Sequence, residues 1–169
     1  MYSQREDIAC VGAKLYYPNK RIQHAGVIIG IYGCTGHSHK YYNFNSNGYF
    51  YRLVSVQNMS AVTAACLMIK TKIYKELNGL DEINLEVAFN DVDFCLRAQE
   101  KGYRNIFTPY CEAYHYESIS RGKENTPIKM DRFKREVEYI KKRYSIIFKR
   151  GDPFYNPNLT LIREDFSLK

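Results

Sequence analysis

Two aspartates, Asp91 and Asp93, stand at the mouth of the stretch FNDVDFCLRAQEKGYR, residues Phe89 to Arg104. A carboxylate so placed could take a proton from a hydroxyl nucleophile as a general base. It could equally serve the helix that the stretch predicts. Asn90 is a favoured N-cap, Asp93 follows three positions on as in a capping box, and acidic side chains suit the positive end of a helix dipole. Gly102 would then close the helix. On the stretch alone both readings stand. The histidines say less. His37-x-His39 has the spacing of a metal pair, but it lies in a polar loop without a third ligand and is expected on the surface. His24 carries still less signal.

The order of elements around these residues predicts an α/β fold. Ala9–Tyr17 and Val27–Ile31 read as strands joined through the turn-bearing PNKRIQHAG. Residues Gly33 to Asn58 show no clean period and are expected to form a long loop region, of a kind that is usually functional. The apolar run AVTAACLMIK, Ala61–Lys70, suits a buried strand of a largely parallel sheet. Thr71 would cap a short helix ending at Asn78-Gly79. After the helix of Asp91, Asn105–Thr108 and Cys111–Tyr116 read as two strands separated by Pro109. The tail reads as loop plus one short strand.

Between Lys129 and Arg150 there are nine Lys or Arg against three Asp or Glu. Apolar residues recur there every three or four positions, which predicts a long, basic, amphipathic helix. Such a helix could lie on an anionic membrane surface, or its charged side could simply be solvated. Clustering of the charge in one segment argues against nucleic acid as a partner. The chain of 169 residues has no apolar run near the ~20 residues of a membrane-spanning helix, and Met1–Asp7 is too polar for a signal peptide. Its five scattered cysteines form no C-x-x-C pair, which argues against a zinc site or a disulfide framework and suits a reducing compartment. Neither a G-x-G-x-x-G nor a G-x-x-x-x-G-K-[ST] phosphate cradle occurs.

Five stretches, in order, resemble the C-terminal half of family 2 glycosyltransferases, which have the GT-A fold, and are most similar to bacterial members acting on cell-surface polysaccharides. They are VGAKLYYPNKRIQHAGVIIG (Val11–Gly30), SAVTAACLMIK (Ser60–Lys70), GLDEINLEVAFNDVDFCLRAQEKGYRNIFTPY (Gly79–Tyr110), AYHYESISRG (Ala113–Gly122) and DPFYNPNLTLIREDFSL (Asp152–Leu168). The resemblance implies a Rossmann-like α/β portion, a mixed sheet flanked by helices, with the long amphipathic helix near the C-terminus. It implies one partial domain over residues 1–169, lacking the nucleotide-binding half and inactive by itself.

In these enzymes the second residue of an acidic or Asn-Asp pair is the base, here Asp91 after Asn90, and the reaction inverts the anomeric carbon. The resemblance further implies that Thr63, Ala64 and Ala65 form the floor under the donor sugar, although the family often has glycine where Ala64 stands. It implies that Arg121 binds the leaving diphosphate and that His115 helps hold a divalent metal, Mn or Mg; a strand-end histidine with a structural hydrogen bond is the equal alternative. Asp91-Val92-Asp93 is literally an Asp-x-Asp, the family's metal motif. That motif belongs upstream of these stretches, and carboxylates at helix positions one and three point apart, so it is not read as a chelate.

The expected partners are a nucleotide-sugar donor and a glycan or lipid-linked saccharide acceptor, with self-association through an exposed sheet edge. The expected location is cytoplasmic, peripheral at the inner face of the cell membrane. The competing reading is a non-catalytic carbohydrate- or phosphate-binding module of the same architecture.

Overall fold

The computed structural model describes residues 1–116 and 126–169. Its centre is β1 (Ile8–Tyr16), whose run IACVGAKLY is buried at eight of nine positions. A strand covered on both faces reads as continuous apolar sequence. Along the chain follow β2 (Ile22–His24), β3 (Val27–Ile29), β4 (Thr35–His37), β5 (Gln57–Met59) and β6 (Leu67–Ile69). Then come α1 (Thr71–Glu76), α2 (Asn90–Glu100), β7 (Arg104–Tyr114), α3 (Pro127–Arg143) and α4 (Ser145–Arg150).

The main sheet runs β2-β1-β7-β5, and β6 shares with β2 the far edge of β1. The fold is thus α/β with a mixed sheet, as the resemblance implies, and not the largely parallel sheet that the apolar run Ala61–Lys70 suggests. Parallel pairing is confined, among the described residues, to β1 with β7; β2, β5 and β6 all pair antiparallel. β3 and β4 form a separate antiparallel pair. The core beneath gathers Cys10, Val62, Phe94, Cys95, Phe107 and Ile140 from strands and helices alike.

Four local expectations are corrected. Asn105–Thr108 and Cys111–Tyr116 are one strand, because Pro109 falls in a bulge. Gly12 pairs with Phe107 and Lys14 with Glu112, so four residues of β7 oppose one of β1, and proline needs no ladder partner there. Ala61–Lys70 is not one strand. Ala61 and Val62 are buried, Ala64–Cys66 forms a 3-10 turn capped by the Thr63 hydroxyl, which accepts from Ala65 N at 3.3 Å, and only Leu67–Ile69 pairs with β1. Alanine is a poor strand former, and an apolar run cannot reveal a turn.

The basic helix is broken at Tyr144 (φ −107°, ψ 33°), whose buried side chain turns inward. The tail forms no strand, only a bridge between Leu159 and Leu168. Its Asp152 carboxylate instead accepts from Ile29 N (2.7 Å) and Phe154 N (2.8 Å).

Candidate functional site

The start of α2 is set from outside the helix. Phe89, not Asn90, occupies the cap position, in left-handed backbone (φ 63°, ψ 4°), and Asn90 is the first helical residue. That conformation is costly for an aromatic residue and persists only where its surroundings over-determine it. α3 supplies the surroundings. The ring of Phe133 lies 5.6 Å from that of Phe89, and the buried Glu136 carboxylate accepts from Val87 N (2.9 Å) and Ala88 N (3.2 Å).

The two aspartates then part company. Asp93 is fully buried and accepts from Arg97 Nε (2.7 Å) and the Tyr144 hydroxyl (2.7 Å), with Arg143 Nε at 3.3 Å. It makes no capping box; it joins α2 to the break between α3 and α4. Beside the Asp93 carboxylate, and with burial the larger cause, the Tyr144 phenol is pushed far above its ordinary range.

Asp91 is half-buried. Its Oδ1 accepts from Val92 N at 2.8 Å, which satisfies one orphan donor of the helix start. Its Oδ2 accepts from Ala64 N at 2.9 Å. Capping and a seat beside the turn at 64–66 are therefore properties of one carboxylate. Each oxygen keeps acceptor capacity for a further partner.

The turn receiving Asp91 is held by buried polar groups from several elements. Asn105 Nδ2 donates to Ser60 O (3.2 Å) and Cys95 O (2.8 Å), Val27 N to Ala61 O (2.8 Å), and Cys95 Sγ lies 3.7 Å from Val62 O. Val62 presses on β1 so closely that a Cβ at Gly12 would sit 2.5 Å from Val62 Cβ. Below the turn, Thr63 N donates to His24 Nε2 at 3.3 Å. Above it, Ala64 and Ala65 are exposed, a small-residue surface beside Asp91. The structure thus brings together Asp91, Asn90, Thr63, Ala64 and Ala65.

His115 stands apart from that cluster, at the end of β7, half-buried. Its Nδ1 meets Gln23 Oε1 at 2.9 Å, and its backbone N donates to Tyr16 O at 2.9 Å. The bond to an amide oxygen makes Nδ1 the protonated nitrogen and leaves the lone pair on Nε2. Among the described residues no group of three or more His, Cys, Asp or Glu is gathered as a metal site. One imidazole does not make a donor set for Mn or Mg, which favour oxygen. Arg121 lies outside the described residues.

The His37-x-His39 pair is not a surface pair: His37 ends strand β4 and is half-buried. His39 is fully buried, stacked 4.1 Å from Phe166, with Nε2 accepting from Tyr49 N at 3.0 Å. Burial, with Arg52 and Lys14 nearby, holds its pKa down at about 3. His24 is fully buried as well, and burial beside His37 holds it well below the usual histidine range. Sequence reasoning passed over His24, Asn105 and Glu136. Nothing in the local sequence marks any of the three, because the groups they bond lie far along the chain.

All five cysteines are free thiols. A recess of about 750 Å³ does not open on Asp91; it is lined by Tyr74, Lys75, Gly79, Asp81, Arg97 and Arg143. Since Arg97 and Arg143 already serve Asp93, the chemistry is better sought at Asp91. No helix among the described residues is long and apolar enough to cross a membrane.

No protein-family model matches the chain, and no solved structure does. The chain is 55% identical over 166 residues to the uncharacterized protein y4gI of Sinorhizobium fredii, a match covering 98% of the chain and 18% of that protein. It is also 32% identical over 182 aligned positions to the O-antigen biosynthesis protein RfbC of Myxococcus xanthus, covering 99% of the chain and 13% of that protein. The chain thus spans less than a fifth of the length of either relative.

Proposed function

We propose that the chain forms the acceptor-facing part of an inverting glycosyltransferase of family 2 and the GT-A fold, acting in polysaccharide synthesis. The observation that carries this reading is the seat of Asp91. Its carboxylate is fixed by two backbone N–H groups and lies against an exposed turn of small residues. The name of the Myxococcus xanthus relative points to the same biology.

The acceptor is a saccharide hydroxyl and the donor a nucleotide-activated sugar. Asp91 takes the hydroxyl proton while the oxygen attacks the anomeric carbon. The bond from that carbon to the diphosphate breaks, and the diphosphate leaves with the electron pair on the opposite side. Attack opposite the leaving group inverts the centre. The role of Thr63, Ala64 and Ala65 is steric: short side chains leave room for a sugar ring beside the base. Asn90 flanks the same opening. Arg121 is proposed for the diphosphate. Among the described residues His115 alone does not fit a divalent metal, so any such ion would have to be held by ligands from the donor-binding half.

The test is sugar transfer by the polypeptide that carries this chain together with a donor-binding half, wild type against Asp91→Asn. Asparagine keeps the shape and one acceptor oxygen but cannot take the proton. Turnover should fall about 10²–10⁴-fold with donor binding kept. Retention of more than about a tenth of turnover would remove Asp91 as the base. Saccharide binding without any transfer, in wild type and variant alike, would favour the non-catalytic module.

A further inference from the structure

We infer that His24 is a positioning residue whose neutral imidazole, held in one tautomer by His37, fixes the turn on which the Asp91 carboxylate rests. This deepens the proposed function and rests on that reading for the role of Asp91 as base.

His24 Nε2 faces two backbone donors, Gly26 N at 3.2 Å and Thr63 N at 3.3 Å. A nitrogen that receives two N–H groups must carry a lone pair, so the proton sits on Nδ1. Nδ1 in turn lies 2.8 Å from His37 Nδ1, the rings meeting edge to face at 5.0 Å. Donation from His24 therefore makes His37 Nδ1 an acceptor and places the His37 proton on Nε2. His37 is itself anchored, because its backbone N donates to Glu164 Oε1 at 2.8 Å.

From His24 the order passes outward in two bonds. Thr63 N is fixed by the imidazole, and the next amide along the chain, Ala64 N, holds Asp91 Oδ2 at 2.9 Å. The segment Ser60–Thr63 is buried for most of its length and lies outside any regular strand, apart from one bridge of Ala61 to Val27. Its amides have no full ladder to hold them. A protonated or wrong-tautomer His24 would offer N–H to N–H, and Thr63 would lose its acceptor.

The chain itself, labelled with ¹⁵N, provides the test. Ring-nitrogen spectra of the wild type should show His24 neutral, with Nδ1 protonated and Nε2 bare. In His24→Leu the Thr63 and Ala64 amides should exchange with solvent about tenfold faster, the worth of one lost hydrogen bond, while Ile106 and Phe107 in β7 stay protected. His24→Gln, whose amide oxygen reaches the place of Nε2, should restore most of that protection.

An Nε2-protonated or charged His24 in the wild type would overturn the inference, even if both variants failed to fold. So would unchanged Thr63 and Ala64 amides in a folded His24→Leu. Failure of the catalytic reading looks different. Asp91→Asn would retain transfer while the His24 tautomer and its hold on Thr63 remained as described.

Discussion

Neutralising the two aspartates of α2 one at a time should separate stability from activity. Asp93 has no exposed surface and gathers Arg97 Nε, the Tyr144 hydroxyl and Arg143 Nε within 3.3 Å. Asp93→Asn leaves two guanidinium groups around a buried neutral amide, and breaking such a set costs about 3–5 kcal/mol. For a chain of this size that lowers Tm by roughly 6–20 °C. Asp91→Asn removes the charge from a half-buried group whose partners are two backbone N–H donors, one of which the amide oxygen can still satisfy. That costs about 1 kcal/mol, roughly 2–4 °C. Urea unfolding of both variants, followed by circular dichroism and with m unchanged, gives the two values. Tyr144→Phe, combined with Asp93→Asn in a double-mutant cycle, isolates the hydroxyl bond. Equal costs for the two aspartates, or a larger one at Asp91, would refute the division of labour described here.

The remaining expectations are more local. His39, whose folded pKa is held down at about 3 by burial, stays neutral in the native state while the unfolded chain protonates it near 6.5. Stability from this group is therefore complete above pH 6.5 and declines as pH falls toward 3; His24 acts in the same direction. His39→Gln should flatten the urea midpoint between pH 7.5 and 5, and an identical slope would exclude His39 as the cause. Gly12→Ala puts a methyl 2.5 Å from Val62 Cβ and should cost about 1–3 kcal/mol in thermal unfolding, with the Thr63 and Ala64 amide resonances displaced. The exposed Ile128, Met130 and Phe133 of α3, beside Lys134 and Arg135, should carry the chain onto anionic vesicles in co-sedimentation. Binding indifferent to lipid charge and to salt would remove that expectation.

What the sequence made legible was local. β1 announced itself by an apolar run that two covered faces require, and α1 by its Asn78-Gly79 stop, where both residues take positive φ. α2 was legible through its periodic apolar face and Gly102. Spacing alone left Asp91 and Asp93 open between capping and chemistry; the base role for Asp91 is what the family resemblance implies, and their different partners became visible only in the fold. The rest depended on partners far along the chain. His39 looks like a loop residue until Phe166 covers it, and nothing near His24 announces the Thr63 amide above it. Phe89 takes the cap because α3 holds it there, against the local preference for Asn90. Pro109 reads as a strand breaker in any local window; only the register with β1 shows that it sits where no ladder bond is needed.

The parallel pairing of β1 with β7 has a consequence for how the chain acquires its structure. Tyr16 meets Tyr114, so the central ladder closes a loop of about a hundred residues. Closing so long a loop spends entropy before any contact rewards it, which makes this pairing a slow step. On a ribosome adding roughly 5–20 residues each second, β1 would wait about 5–20 s for its neighbour. During that wait only its other edge can be protected, first by β2, which pairs Leu15 with His24 across a short turn, and then by β6, which pairs Gly12 with Leu67 and is made well before β7. The mixed sheet thus sets an order of events: a three-stranded core forms first and exposes one long apolar edge, and the arrival of β7 both completes the sheet and ends the interval of greatest aggregation risk.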